Sequence, residues 1–406
     1  MATKTVKRAY KYRYYPTPAQ TLELARTFGC TRLVWNTILD RRTRRYITEK
    51  ASTSYADSNA MLTQLKKEDD YTFLNEVSSV PLQQVLRHQH KALQGFFEKR
   101  SGYPNFKSKK KNKNSAEYTR SGFRIKNGDI YLAKMSEPLD IRWSRECDLE
   151  TASTITVSQD RAGRYFVSIL CESVIEELPK IDKTVGIDWG VTTAITTSDG
   201  NKMTPNLAKA QKAVIKAQKN YSRKEKGSAR QEKARLQLAR KQAKVADIRK
   251  DWLHKVTTQL VRENQTIVVE DLNVAGMSKA VKGKGHATKA GLNRGILSHA
   301  PAEFRQLLGY KCDWYGRELV VADRWFPSSQ LCSHCGYRVG KLLLRVRSWA
   351  CPECGARHDR DQNAAVNLMN VALGLRETRN ARGGPVRPLD ASVSVAGTVE
   401  ARIPRL

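Results

Sequence analysis

The sequence predicts a multidomain chain of mixed helical and β-rich parts, an α+β architecture, on three observations. Apolar residues recur at helical spacing from about 19 to 98, short alternating runs fill 117 to 180, and two C-x2-C pairs stand near the end. With 406 residues and 40% hydrophobic content the chain can bury two or three cores.

The elements follow in order. Residues 5 to 14 alternate and are rich in Tyr, as a strand requires, and "YPTPAQ" breaks the strand before a helix beginning near Ala19. Leu22, Leu24, Phe28, Leu33, Val34 and Ile38 make the first apolar stripe, and Leu82, Val85, Leu86, Leu93 and Phe96 make another. "SGYPNFKSKKKNKNS" reads as a basic linker. In "TASTITVSQDRAGRYFVSILCES" a turn at Asp160 to Gly163 joins two alternating runs, and the region is expected to form a small β-barrel or sandwich.

"KTVGIDWGVTTAITTSDGNKMT" then reads as strand, turn and strand. Two basic helices are expected over about 207–224 and 228–264, divided near Gly227, followed by the apolar strand "TIVVED". A loop rich in Gly and Lys, a helix at about 301–316 and the strand "ELVVADRWF" come next. Beyond Gly374 the composition of Arg, Gly, Pro and Ser predicts a mobile tail.

Charge narrows the class of partner. Lys plus Arg number 72 against 40 Asp plus Glu, a net +32, which attracts polyanions and nucleic acid above all. No run of about 18 apolar residues is present to span a bilayer. The first residues, "MATKTVKRAYKYRYY", lack the apolar core of a secretory signal, so the expected location is the cytoplasm, in contact with the nucleoid when DNA is bound. Cys30, Cys147, Cys171 and Cys312 are scattered singly and read as reduced, small apolar residues.

The other four cysteines carry chemistry. Cys332, Cys335, Cys351 and Cys354 form C-x2-C, fifteen residues, C-x2-C, the spacing of a ribbon that closes four thiolates around one structural Zn2+. His334 and His358 are near but surplus, and are expected on the surface or facing nucleic acid.

Three carboxylates complete the pattern. Val185, Ile187, Trp189, Val191 and Ile195 occupy odd positions of one strand, so Asp188 faces the other way between Gly186 and Gly190, where other groups have room to approach. Glu270 or Asp271 closes the buried strand "TIVVEDL". "HDRDQNAAVN" begins D-x-D-x-N like a calcium loop, but Ala364 and Asn370 stand where that loop needs Gly and Glu. The calcium reading fails, and Asp361 opens a helix instead. Two strands and a helix that each supply a carboxylate can hold two Mg2+ ions. Such a pair, about 3.5–4 Å apart, stabilises both oxygens of a phosphoryl displacement.

The motifs "GIDWG", "IVVEDL", "FPSSQLCSHCG", "CPECG" and "HDRDQNAAVNL", in that order, resemble the TnpB family of transposon-encoded proteins and the related miniature type V CRISPR effectors. "YPTPAQ", "GYPNFK", "DWLHKVTTQLVREN" and "GGPVRP" are similar to family motifs too, so the likeness spans nearly the whole chain. It implies an RNA-guided DNA endonuclease with guide RNA and target double-stranded DNA as partners, and it carries the catalytic, Mg2+-holding acids onto Asp188, Glu270 and Asp361.

It also implies a wedge β-barrel from residues 1–15 and 116–180, with a helical recognition lobe inserted at 16–115. A RuvC nuclease domain of RNase H-like α/β fold would span 181–325 and 358–374, with the zinc ribbon inserted at 326–357 and the tail at 375–406. Gln83 matches a glutamine near the site that reads a short adjacent DNA motif. Lys107, Lys109, Lys110, Lys111, Lys113, Arg223, Lys224, Lys226 and Arg230 are candidate phosphate contacts.

Two departures stand out: Trp189 replaces a smaller aliphatic residue, and "HAPAEF" replaces a "WGEF"-like stretch. The alternatives are a guide-directed repressor without nuclease activity, against which the retention of all three acids argues, and a strand-joining transposase or its accessory protein. No Tyr or Ser nucleophile constellation for the latter is recognisable.

Overall fold

The alternation at the N-terminus is strand β1 (Thr3–Tyr14) in the computed structural model, which describes residues 3–110, 112–279, 286–340, 342–343 and 345–374. Lys111, the "GGPVRP" motif and the tail from 375 lie outside the described residues. The chain divides into two compact units. One holds residues 5–174 and 224–240; the other holds 175–223 and the described residues from 241 on, with Thr3 and Lys4.

In the first unit Thr17 caps α1 (Pro18–Glu49) through a reciprocal pair with Gln20, and Pro18 sits in the first turn, where its missing N–H costs nothing. Helices α2 (Tyr55–Leu65) and α3 (Ser79–Phe97) pack with α1 around Val34, Ile38, Leu62, Leu65, Leu82 and Leu86. Leu22 and Phe96, placed in apolar stripes by periodicity, are exposed.

Strands β2 (Asn114–Thr119), β3 (Phe123–Lys126), β4 (Asp129–Leu132), β5 (Ile141–Arg142), β6 (Thr154–Gln159) and β7 (Tyr165–Glu176) follow. The turn between β6 and β7 lies where the sequence put it, with Gly163 at φ +78°. The sheet order is β2-β6-β7-β1-β5, and β3 and β4 form a separate hairpin. The expected barrel is therefore an open sheet among the described residues: β5 contributes only two residues and no pairing returns it to β2. Its core joins Tyr12, Tyr14, Tyr118, Ile155, Val157, Val167 and Ile169 to Leu24 and Phe28 of α1. Cys147 and Cys171, far apart in sequence, meet here with sulfurs 2.9 Å apart.

The second unit is built on β8 (Thr184–Asp188), β9 (Ile195–Thr197), β10 (Lys202–Met203), β11 (Thr266–Glu270) and β12 (Glu318–Ala322), in the order β10-β9-β8-β11-β12. The first three pair antiparallel, while β11 runs parallel to both β8 and β12. Parallel neighbours need long connections, and helices supply them: α4 (Ala208–Ser222), α5 (Ala229–Glu263), α6 (Val274–Met277), α7 (His286–His299) and α8 (Pro301–Tyr315). Much of the Gly- and Lys-rich stretch read as loop is thus helix α7, whose glycines at 291 and 295 do not end it.

One face of the sheet packs Val185, Ile187, Ile267 and Val269 against Leu253 and Leu260 of α5 and Phe304 and Leu308 of α8. The other face meets Leu368 of α9 (Arg360–Ala372), which follows the hairpin of β13 (Ser348–Ala350) and β14 (Arg357–Asp359). The second cysteine pair lies in the turn of that hairpin.

Gly186 is the point of closest approach between α9 and the sheet. A Cβ built there would lie 1.9 Å from the Ala365 carbonyl oxygen and 2.6 Å from the Met369 nitrogen. Both obstacles are backbone inside a helix, so neither can swing aside. Gly186→Ala is expected to cost about 2 kcal/mol or more of stability, because the helix must lift from the sheet. Gly29→Ala, with nothing within 4 Å of its built Cβ, should leave the melting temperature unchanged or higher. Thermal denaturation of the two variants beside the parent checks this.

Candidate active site and metal centre

The three predicted acids come together on the α9 face of the second sheet. Residues 186 and 188 share that face by the alternation of the strand. In the parallel register Val269 stands beside Ile187, so Glu270 falls beside Asp188 at the next step, one strand spacing of about 4.8 Å away. Asp361 lies four residues before Ala365, about 6 Å along the helix, and Asp188 lies two residues past Gly186, about 6.8 Å along the strand. The contact at Gly186 thereby brings Asp361 over Asp188.

Electrostatics register the proximity. Burial pushes the Asp188 carboxyl well above its ordinary range, and the charges of Glu270 and Asp361 push it further, against the pull of Arg360. Burial also raises Glu270, against the hydrogen bond donated by Ser328 Oγ to Glu270 Oε1 at 2.5 Å. The exposed guanidinium of Arg347 lies 3.7 Å from Asp361 Oδ1.

Asp271, which periodicity could not separate from Glu270, is engaged elsewhere. Burial alone would raise its carboxyl, but hydrogen bonds and charge from Arg305 and Arg324, each at 2.5 Å, outweigh that and hold it below the usual carboxylate range. Nor is Asp361 the helix cap. Asp359 accepts from the backbone N–H groups of Asp361 and Gln362 and is bound by Lys202 at 2.8 Å, which leaves the Asp361 carboxylate for another task.

Several residues that position the site carried no signal in the sequence reading. Buried Asn363 donates to Leu331 O and accepts from the Ser333 N–H; buried Asn367 donates to both Ser328 O and Leu331 O. These two side chains, one turn apart, fasten the segment that runs from Ser328, on Glu270, to the first cysteine pair. By helical period both fall opposite Ala365, Leu368 and Met369, on the side a sequence assigns to water, which is why period alone misses them. The two departures from the family pattern also meet: Trp189 packs on Phe304 with ring centroids 4.7 Å apart, and His299 Nε2 lies 3.0 Å from Val191 O.

The ligand sulfurs of Cys332, Cys335, Cys351 and Cys354 all lie within 4.8 Å of one another. Cys332 and Cys354 are 3.7 Å apart and Cys335 and Cys351 3.6 Å. A tetrahedron with metal–sulfur bonds of about 2.3 Å has edges of about 3.8 Å, so the cluster fits zinc. His358 is not a free surface residue: its Nε2 lies 3.0 Å from Cys332 Sγ and its ring rests on Trp349.

Among the predicted nucleic-acid contacts, Gln83 is exposed on α3, and Lys109, Lys110, Lys113, Arg223, Lys226 and Arg230 are exposed, with Lys224 half-buried. Lys107 is occupied: its ammonium sits 3.8 Å over the Trp35 ring, and its backbone exchanges two hydrogen bonds with Asn36. No helix among the described residues is long and apolar enough to cross a membrane.

Three family models match: "Cas12f1-like, TNB domain" over 302–368, "Probable transposase" over 166–281 and "Helix-turn-helix domain" over 1–51. In this chain the last span is a strand and one long helix rather than two helices and a turn. A Streptomyces pristinaespiralis protein named as an RNA-guided DNA endonuclease is 53% identical over 393 residues, covering 94% of this chain and 92% of its own. The chain belongs to the TnpB family. The Escherichia coli relative InsQ, of the same description, is 32% identical to this TnpB member over 372 residues, 89% of this chain and 91% of its own. A Cas12f1 solved by cryo-electron microscopy with guide RNA and target DNA shares the fold, with a TM-score of 0.54 at 14% identity over 90% of this chain and 99% of that one.

Two outcomes follow from the geometry. In metal-free buffer the raised Asp188 pKa means that the folded chain keeps a proton the unfolded chain releases, over a window opening near the ordinary value of 3.8. Stability therefore falls as pH rises through that window, and Asp188→Asn should melt higher than the parent at pH 7.5 and equally near pH 4. Thermal melts in EDTA across that range test it. Separately, elemental analysis of purified protein should find one zinc per chain, lost in Cys332→Ser and Cys351→Ser.

Proposed function

We propose that this chain is an RNA-guided DNA endonuclease that cuts phosphodiesters at Asp188, Glu270 and Asp361. The observation that carries the reading is the crowding of three carboxylates in which burial first, and then the charges of Glu270 and Asp361, raise Asp188, in a chain of this family. Oxygen donors crowded in this way fit hard divalent ions, and the three acids would hold two Mg2+. Bound there, those ions would supply charge neutralisation for the attacking and leaving oxygens of an in-line displacement. Ser328 holds Glu270 in orientation by its hydrogen bond, and Asp359 takes the capping role so that Asp361 stays available.

The sheet order, with three antiparallel strands followed by two parallel to the first, supports assignment of 181–325 and 358–374 to a RuvC domain of RNase H type. The four-cysteine module at 326–357 then acts as a zinc ribbon that helps load the target strand. Residues 1–15 and 116–180 serve as the wedge and 16–115 as the recognition lobe, with exposed Gln83 near the adjacent-motif reader. Base pairing by the guide reads sequence, while the protein grips backbone and shape. Exposed Lys109, Lys110, Lys113, Arg223, Lys226 and Arg230 are suited to phosphate, and affinity should fall steeply with salt.

The test is plasmid cleavage by the protein with its co-purified RNA, against targets carrying a randomised adjacent motif, in magnesium. Asp188→Ala, Glu270→Ala and Asp361→Ala should each reduce cutting by about a thousandfold or more while guide-dependent binding stays near that of the parent. Full cutting by any of the three refutes the site.

A further inference from the structure

Trp325 is 67% exposed, and it stands out because the turn that presents it is fixed at every other position. Its own N–H donates to Asp323 Oδ1 at 2.7 Å. On one side Arg324 donates to Asp271; on the other Phe326 is buried in the core against α9, and Ser328 donates to Glu270. The residues on either side of the indole thus touch the last two residues of the Glu270 segment, while the indole itself projects into water.

Accessible cationic groups accompany it. Arg305 and Arg324 share the single carboxylate of Asp271, and both guanidinium side chains remain 43% accessible. Next to three carboxylates that repel a phosphodiester, an exposed aromatic face flanked by accessible guanidinium groups is the complement of a single strand, base against ring and phosphate against guanidinium. A duplex offers no free base face to such a ring.

We propose that Trp325 stacks on an unpaired nucleobase next to the scissile phosphate, with Arg305 and Arg324 on the adjoining backbone, and so positions the single strand for cutting. The assignment rests on the endonuclease reading above. Trp325 positions substrate and takes no part in bond making.

The experiment uses the guide-loaded protein and matched DNA in which a single abasic position is moved through the cleaved strand. Trp325→Ala should cut the intact target about tenfold more slowly, with guide-dependent target binding unchanged, and Trp325→Phe should cut within about threefold of the parent. In the parent one abasic position should reproduce the loss, and Trp325→Ala should be indifferent to that position, because ring and base form one interaction. Cutting by Trp325→Ala at the parental rate overturns the proposal, as does a Phe variant no faster than the Ala variant, or an abasic loss that adds to the mutational one. These results leave the endonuclease reading standing. A parent protein that fails to cut any matched target overturns that reading, and this inference with it.

Discussion

Backbone-to-backbone contact between α9 and β8 at Gly186 is the constraint on which the rest of the second unit depends. Only a residue without a side chain lets the Ala365 turn lie directly on the strand. One turn back along the helix and one pleat forward along the strand are nearly the same distance, so this single point of contact aligns Asp361 with Asp188. A strand neighbour in parallel register then adds Glu270 without further adjustment.

Holding three carboxylates together in a partly desolvated place is unfavourable, and the surrounding contacts show how the fold sustains it. Asn363 and Asn367 fix the segment that bears Ser328, and Ser328 fixes Glu270. Asp359 and Asp271 carry charges of their own close by, yet each is neutralised, one by Lys202 and the helix N-terminus, the other by two arginines. The repulsion that remains is centred on Asp188, Glu270 and Asp361. The cysteine module is tied into the same network: Ser333, between its first two cysteines, donates its N–H to Asn363, and β14 ends where α9 begins.

Local pattern determined much of this protein. Alternation found β1, β6, β7 and the odd-numbered face of β8. Helical period found α1, α3, α5 and α9, and the spacing of Cys332, Cys335, Cys351 and Cys354 specified the four-sulfur cluster, since each pair needs only a tight turn to bring its sulfurs together. Likeness to the family marked Asp188, Glu270 and Asp361. These features are short in range or fixed by residue type, which is why a single sequence carries them.

Tertiary structure decided what depends on partners far along the chain. Period 2 could not separate Glu270 from Asp271, whereas Arg305 and Arg324, more than thirty residues away, do so by claiming Asp271. Hydrophobicity placed Leu22 and Phe96 in stripes, but which side of a helix is covered depends on what packs there, and both are exposed. The sheet of the first unit stays open because strand order and the length of β5, not alternation, govern closure. A glycine in a strand says only that there is room for something to come near. That the visitor is the Ala365 turn of α9 is settled by contact across some 180 residues, which no local pattern encodes.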